Sequence, residues 1–414
     1  MQSIGMPEKI MQELNTLFYR FIWKKDMQSD TRTFDKVKRN VMCNDYEIGG
    51  IKMFDLEKQQ HAFYLNWAEN FLKDEMNEWK EIPFESFKHL GGKAAFEGDI
   101  INKYFKGLFT SYSKFWNEVL ETWHRYKFDQ KEKSMQINEN MVLFNNMNIL
   151  FKSKPLWSPE CIKNNVLRLK DILSDERIMP YTQFVEKYPE INYPMIPYNI
   201  ITNAVKPILE SSEYEQNEVG SDSSQYFGIK KVGKIGRKGF LNLIKDDQAP
   251  YVLQLWKNKF NIDIESEHWL TAINATKETR LRTLHWKIMH NIYPTNILLS
   301  KMKVKETPNC EWCDCQDFPE HFFVECKKIK HLWQEIEFKL KTNCSARIRF
   351  KVSDIMLGFH DSELTQQQEK FVNNVILVGK LAVSKFKYGQ MVDIIFIFEK
   401  EMRMRSLVFD KVLV

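Results

Sequence analysis

The chain has 414 residues with 43% hydrophobic and 14% aromatic content, enough apolar material to bury cores in two to three domains. Its 60 Lys and Arg against 55 Asp and Glu leave a net charge of +5, too small to argue for a nucleic-acid partner without local clustering. No apolar run approaches the roughly 20 residues that span a bilayer, and Met1 to Lys9 lacks the basic start and apolar stretch of a signal peptide; the expectation is a soluble intracellular protein, in cytoplasm and/or nucleus, with no membrane partner.

Sparse Gly (15) and Pro (13) beside 11 Trp favour packed helices, so the predicted fold is mainly α, a multi-segment helical architecture. Ile10, Leu14, Leu17, Phe18, Phe21 and Ile22 recur at helical spacing, and Pro7 suits a first turn, which predicts an amphipathic helix over Pro7 to Lys24. The stretch Arg20 to Arg39 carries a local excess of basic residues, either a solvated loop or a binding loop. Gly49-Gly50 forms a break, Asp55 can cap a second helix, and Leu56, Phe63, Trp67 and Phe71 fall on one face of it. Between Lys154 and Leu209 short helices joined by turns are expected, one of them at Leu169 to Leu173. Glu210 to Ser224 is acidic and Ser-rich and is the best linker candidate. The sign then changes: Lys230, Lys231, Lys234, Arg237 and Lys238 lie among glycines with no acid, suited to phosphates or equally to a mobile, solvated linker. Tyr251 to Leu270 and Lys277 to Asn291 read as helices, Phe371, Val375, Val378 and Ala382 mark another, and Met391 to Met404 a last one. These breaks divide the chain into 1–80, 81–209, a two-signed linker 210–239, and 240–414.

Four of the seven cysteines crowd between Cys310 and Cys326. Cys310, Cys313, His321 and Cys326 form Cys-x2-Cys-x7-His-x4-Cys, in which a tight Cys-x2-Cys turn and a His/Cys pair about one helical turn apart can converge on one tetrahedral Zn2+. Four protein ligands leave no open position, so the expected zinc knuckle is structural. Cys315 could replace Cys313, although a Cys-Asp-Cys bite is less favourable. Cys43, Cys161 and Cys344 are isolated and read as packing residues, and His331 as a surface residue.

Arg282-Thr-Leu-His-Trp-Lys-Ile-Met-His290, Pro294-Thr-Asn296, Leu299, Asn309-Cys-Glu-Trp-Cys313, Glu320-His-Phe-Phe-Val-Glu-Cys326 and Trp333 together resemble the zinc-binding region near the C-terminus of LINE-type non-LTR retrotransposon reverse transcriptases. Phe18 to Trp23, Gly49 to Leu56 and Trp67 are similar to that family's thumb and the segment after it; Pro155-Leu-Trp157, Leu169 to Leu173 and Tyr198 resemble its connecting region, and Ile355-Met-Leu-Gly358 resembles a short motif after the zinc unit. The resemblance implies a thumb-like segment over 1–80, a connecting domain over 81–209, and a module that holds template RNA or target DNA. Polymerase chemistry needs palm carboxylates holding two divalent ions, usually in a Tyr/Phe-x-Asp-Asp turn. None occurs in the sequence, and Asp246-Asp247, after Lys245 and before Pro250, reads as a helix-terminating turn. The expectation is therefore a non-enzymatic part of such a polymerase, beginning at the thumb, its catalytic region supplied by another chain. Lysines and arginines around the knuckle (Arg280, Arg282, Lys287, Lys327, Lys328) can meet phosphates, while Trp312 and Phe322 can offer ring faces to unpaired bases, with packing against the zinc turn the alternative for Trp312. The competing reading is a zinc-stabilised protein-interaction scaffold.

Overall fold

A computed structural model describes residues 6–23, 36–73, 75, 77–98, 113–129, 138–211, 226–227, 230–231, 234–344, 348–389 and 393–405. The chain forms two compact units: residues 1–24 with 56–245, and residues 25–55 with 246–414. It is mainly helical, with three two-stranded hairpins among the described residues.

In the first unit, α1 (Glu8–Ile22) is amphipathic as its spacing predicts. Helix α2 (Leu56–Leu72) begins directly after Asp55, but its buried side is broader than the predicted face: Ala62, Tyr64, Leu65, Ala68, Phe71 and Leu72 are buried, whereas Phe63 and Trp67 are half-buried. The reason is that α2 is packed on more than one side, by α3 (Lys114–Asp129) and by α5 (Gly236–Leu243), the latter after α4 (Met195–Leu209) in sequence. Its partly buried Trp67 meets Trp79, Phe115 and Trp116 edge-on, the geometry that aromatic quadrupoles favour. Glu69, buried on α2, accepts from the backbone N–H groups of Ile235 and Gly236 at 2.8 and 2.9 Å, so its charge is placed at the positive end of α5. The basic run Lys234 to Lys238 is thus partly helical, and the expected 239/240 boundary falls inside α5. A second core, from Met141 to Ile208, contains the 3-10 turn Leu169–Ile172. Arg168 ties this core to Glu97 by two hydrogen bonds of 2.7 and 2.6 Å. Of the expected linker 210–224, residues 212–224 lie outside the described residues, as do the side chains of Lys230 and Lys231 and most of the basic stretch Arg20 to Arg39.

The second unit is built round α10 (Gln366–Tyr388). From Phe371 to Val383 twelve of its residues are buried, including Asn373 and Lys380, which marks a helix enclosed on all sides. Against it pack α7 (Ser266–Ala275), α8 (Thr279–Met289), α9 (Lys330–Cys344) and α11 (Ile394–Met404). The helix expected over Tyr251 to Leu270 is two: α6 (Val252–Phe260) ends where Asn261 turns left-handed (φ 55°), and α7 starts at Ser266. A left-handed asparagine is a common helix stop because its short polar side chain tolerates positive φ. The N-terminal glycine turn belongs to this unit. Gly49 (φ 85°) offers its carbonyl oxygen to Trp286 Nε1 at 2.9 Å and His290 Nε2 at 2.7 Å, and a Cβ there would lie 2.9 Å from Trp269.

Candidate metal centre

Each half of the centre is shaped by its local backbone. Asn309 bridges Gln316, the Cys310 N–H donates to the Cys315 carbonyl at 2.8 Å, and Asp314 takes a left-handed φ of 51°, closing a turn that points Cys310 and Cys313 the same way. The other half is a single π turn, His321–Glu325, closed by the Cys326 N–H on the His321 carbonyl at 3.0 Å. In an α-helix residues five apart sit roughly 140° apart round the axis; the wider π turn brings His321 and Cys326 toward one side. This corrects the expectation of an ordinary helical turn.

The donors converge. Cys310 Sγ and Cys313 Sγ are 3.9 and 3.6 Å from Cys326 Sγ, and one ligand atom from each of Cys310, Cys313, His321 and Cys326 lies within 4.8 Å of the others. Two thiolates each about 2.3 Å from one tetrahedral zinc lie about 3.8 Å apart, so the sulfur spacing fits a shared ion. Cys313, not Cys315, completes this set; Cys315 is exposed, its Sγ 3.3 Å from His321 Nδ1. Burial pushes the Cys326 thiol up to about 12. At Cys313 burial acts the same way, but the Lys327 backbone N–H, 3.4 Å from Sγ, and the neighbouring Cys326 and Cys310 thiols outweigh it and lower the value. Burial, then Lys387, lowers His321 and favours its neutral, ligating form.

Supports around the centre are ones that the sequence did not reveal. Asp317 and Lys387 form a buried ion pair at 3.1 Å (2% and 6% exposed), and Asp317 also accepts from the Asn296 N–H at 3.2 Å. Trp333 donates to the Phe323 carbonyl at 2.7 Å, and it fits against α10 only because residue 379 is glycine, where a Cβ would lie 2.8 Å from the ring. The spacing of Asp317 and Lys387, 70 residues apart, carries no local signal that could have paired them.

The candidate nucleic-acid residues are placed unequally. Lys327, Lys328 and Arg280 are exposed, and Lys287 is half-buried. Arg282 is committed to the end of α7, donating to Thr276 and Ile273 carbonyls at 2.6 and 3.0 Å. Trp312 is half-buried against Phe386, with ring centroids 5.4 Å apart, and Lys387 Nζ is 5.6 Å from its ring. Phe322 is 2% exposed among Tyr293, Phe323 and Tyr388, which overturns the expectation that it offers a face to a base: its ring is used in the core. In the first unit Lys234 and Lys238 are exposed, and Arg237 holds its guanidinium 4.7 Å from the Phe63 ring.

Fold and site together define a helical unit with a Cys3His centre that could bind zinc. Residues 251–333 match the family model for zinc-binding in reverse transcriptase, and the match spans all four candidate ligands. The region is thus a reverse-transcriptase-associated zinc-binding region. No curated protein matches the chain. No helix among the described residues is long and apolar enough to cross a membrane.

Proposed function

We propose that the chain is a nucleic-acid-binding C-terminal module of a LINE-type non-LTR retrotransposon reverse transcriptase. In this reading its N-terminal segment is thumb-like, and it holds template RNA or target DNA in cytoplasm and/or nucleus while a catalytic region on another chain does the polymerisation. One structural zinc sits in the centre formed by Cys310, Cys313, His321 and Cys326. The observation that carries this reading is the match over 251–333 to a reverse-transcriptase zinc-binding family, with the four donors converging inside it. Exposed Lys327 and Lys328 directly after the last ligand support a phosphate-contacting edge.

The test is binding of single-stranded RNA and DNA across a salt series. Affinity should fall steeply with salt, because bound phosphates release counterions. Replacing Lys230, Lys231 and Lys234 together by Ala should flatten the slope of log K against log salt by about 2 to 3, near 0.7 to 0.9 per phosphate contact. An unchanged slope, with a lower one in Lys327→Ala/Lys328→Ala, would assign the contacts to the zinc unit.

A second reading, a zinc-stabilised interaction scaffold, has one observation in its favour. Arg282 and Phe322, expected to meet nucleic acid, are spent on packing and capping inside the unit. Binding that is absent, or indifferent to salt, selects the scaffold.

A further inference from the structure

We infer that the second unit holds another metal site, formed by Glu267, His268 and His360, for a divalent first-row transition ion such as zinc. One ligand atom from each of the three lies within 4.8 Å of the others. Glu267 and His268 stand in the first turn of α7, and His360 follows the short helix Val352–Leu357 in the segment leading to α10. Residues so far apart in sequence meet only in the folded unit, where the two imidazoles lie edge to face with centroids 5.4 Å apart.

The surroundings of His360 suit a ligand. Glu369 Oε1 is 3.0 Å from Nδ1, so in the neutral ring the proton sits there and Nε2 keeps its lone pair, the carboxylate-histidine arrangement that orients metal-binding imidazoles. Nε2 faces Thr271 Oγ1 at 3.4 Å, yet that hydroxyl donates to the Glu267 carbonyl at 3.0 Å. Neither atom then has a proton for the other, and a cation in this space accepts the lone pair on Nε2. The local charge agrees: residues 261–276 and 358–369 hold Asp263, Glu265, Glu267, Asp361, Glu363 and Glu369 and no Lys or Arg.

His268 changes role on loading. Its Nδ1 now accepts the Glu265 N–H at 3.1 Å, capping α7. Ligation through Nε2 moves the ring proton to Nδ1 and releases that amide, so this site binds more weakly than the Cys3His centre. Two imidazoles and one carboxylate suit zinc, cobalt or nickel, and three protein ligands leave positions to water. The bound ion would bridge α7 to the segment before α10.

The experiment uses the untagged full chain, stripped with EDTA and titrated with zinc by calorimetry at pH 7.5. Two equivalents of different affinity are expected. His268→Ala/His360→Ala should lose the weaker one and keep the tighter one, which also reports that the unit is folded. Glu369→Gln should weaken the second equivalent by about tenfold or more. Cobalt titration of the unaltered chain gives a readout independent of any variant: the second equivalent should add no thiolate-to-metal charge-transfer band. A single equivalent in the unaltered chain, two in the double variant, or a thiolate band on both ions, which would put the second on Cys315, overturns the proposal.

Discussion

At the scale of single residues the centre makes unequal demands on its donors. Cys313 gains its position from a turn and from the Lys327 N–H, so Cys313→Ser should abolish the tightly held zinc equivalent, whereas Cys344→Ser should leave it; atomic absorption on the dialysed variants checks both. Cys315, its Sγ 3.3 Å from His321 Nδ1, is placed to rescue the variant, and full tight zinc in Cys313→Ser would transfer the role to it. Lys380 poses a different problem, a fully buried amino group whose partners are His285 Nδ1 at 3.0 Å and the Met356 carbonyl at 3.3 Å. Burial lowers it from the ordinary 10.5 to about 7. Between those values the unfolded chain binds more protons than the folded one, so this residue's contribution to stability rises with pH through that window. Denaturant midpoints between pH 7 and 9 should therefore rise by the equivalent of about 1 kcal/mol per pH unit relative to Lys380→Met, in which the slope from this site disappears.

Among elements, the joint between the metal centre and α10 is a contact between one indole and one missing methyl. Gly379→Ala should push Trp333 away and weaken its bond to Phe323, at about 1 to 3 kcal/mol in chemical denaturation, with zinc affinity falling in step. Much of this level could be read from sequence. The period of Ile10, Leu14, Leu17 and Phe21 yields α1, and that of Phe371, Val375, Val378 and Ala382 yields the centre of α10, because apolar spacing is a local property. The four candidate ligands were equally legible, since both halves of the centre are short-range turns. What escaped is non-local or unusual in winding. Periodicity runs across Asn261 without showing that its backbone turns left-handed. Nothing in His321 to Cys326 marks a π turn. Phe322 looks as available as Trp312 until tertiary packing closes over it.

For the whole molecule, the proposed division of labour makes a negative prediction. The purified chain should not extend a primer on an RNA template in magnesium or manganese, because the sequence has no Tyr/Phe-x-Asp-Asp turn and Asp246 and Asp247 follow α5 in an irregular, exposed stretch. Incorporation that survives repurification and is lost in Asp246→Asn/Asp247→Asn would refute the assignment of the chemistry to another chain.

The Gly49 turn also sets a timetable for synthesis. Its carbonyl waits for Trp286, 237 residues later in the chain, and for His290, 241 later. At roughly 5 to 20 residues per second of translation, that interval is on the order of 10 to 50 seconds, during which Val37, Val41 and Met42, buried in the folded unit, have emerged while the turn still lacks Trp286 and His290. Residues 56–245, the larger part of the first unit, are made in the meantime between the two parts of the second. A nascent chain of this design offers an apolar N-terminal segment to chaperones early, and its release should coincide with the emergence of α8 from the ribosome; pulse-labelled ribosome-bound intermediates stalled with residue 290 still inside the exit tunnel, and with it outside, would show the change in protease resistance.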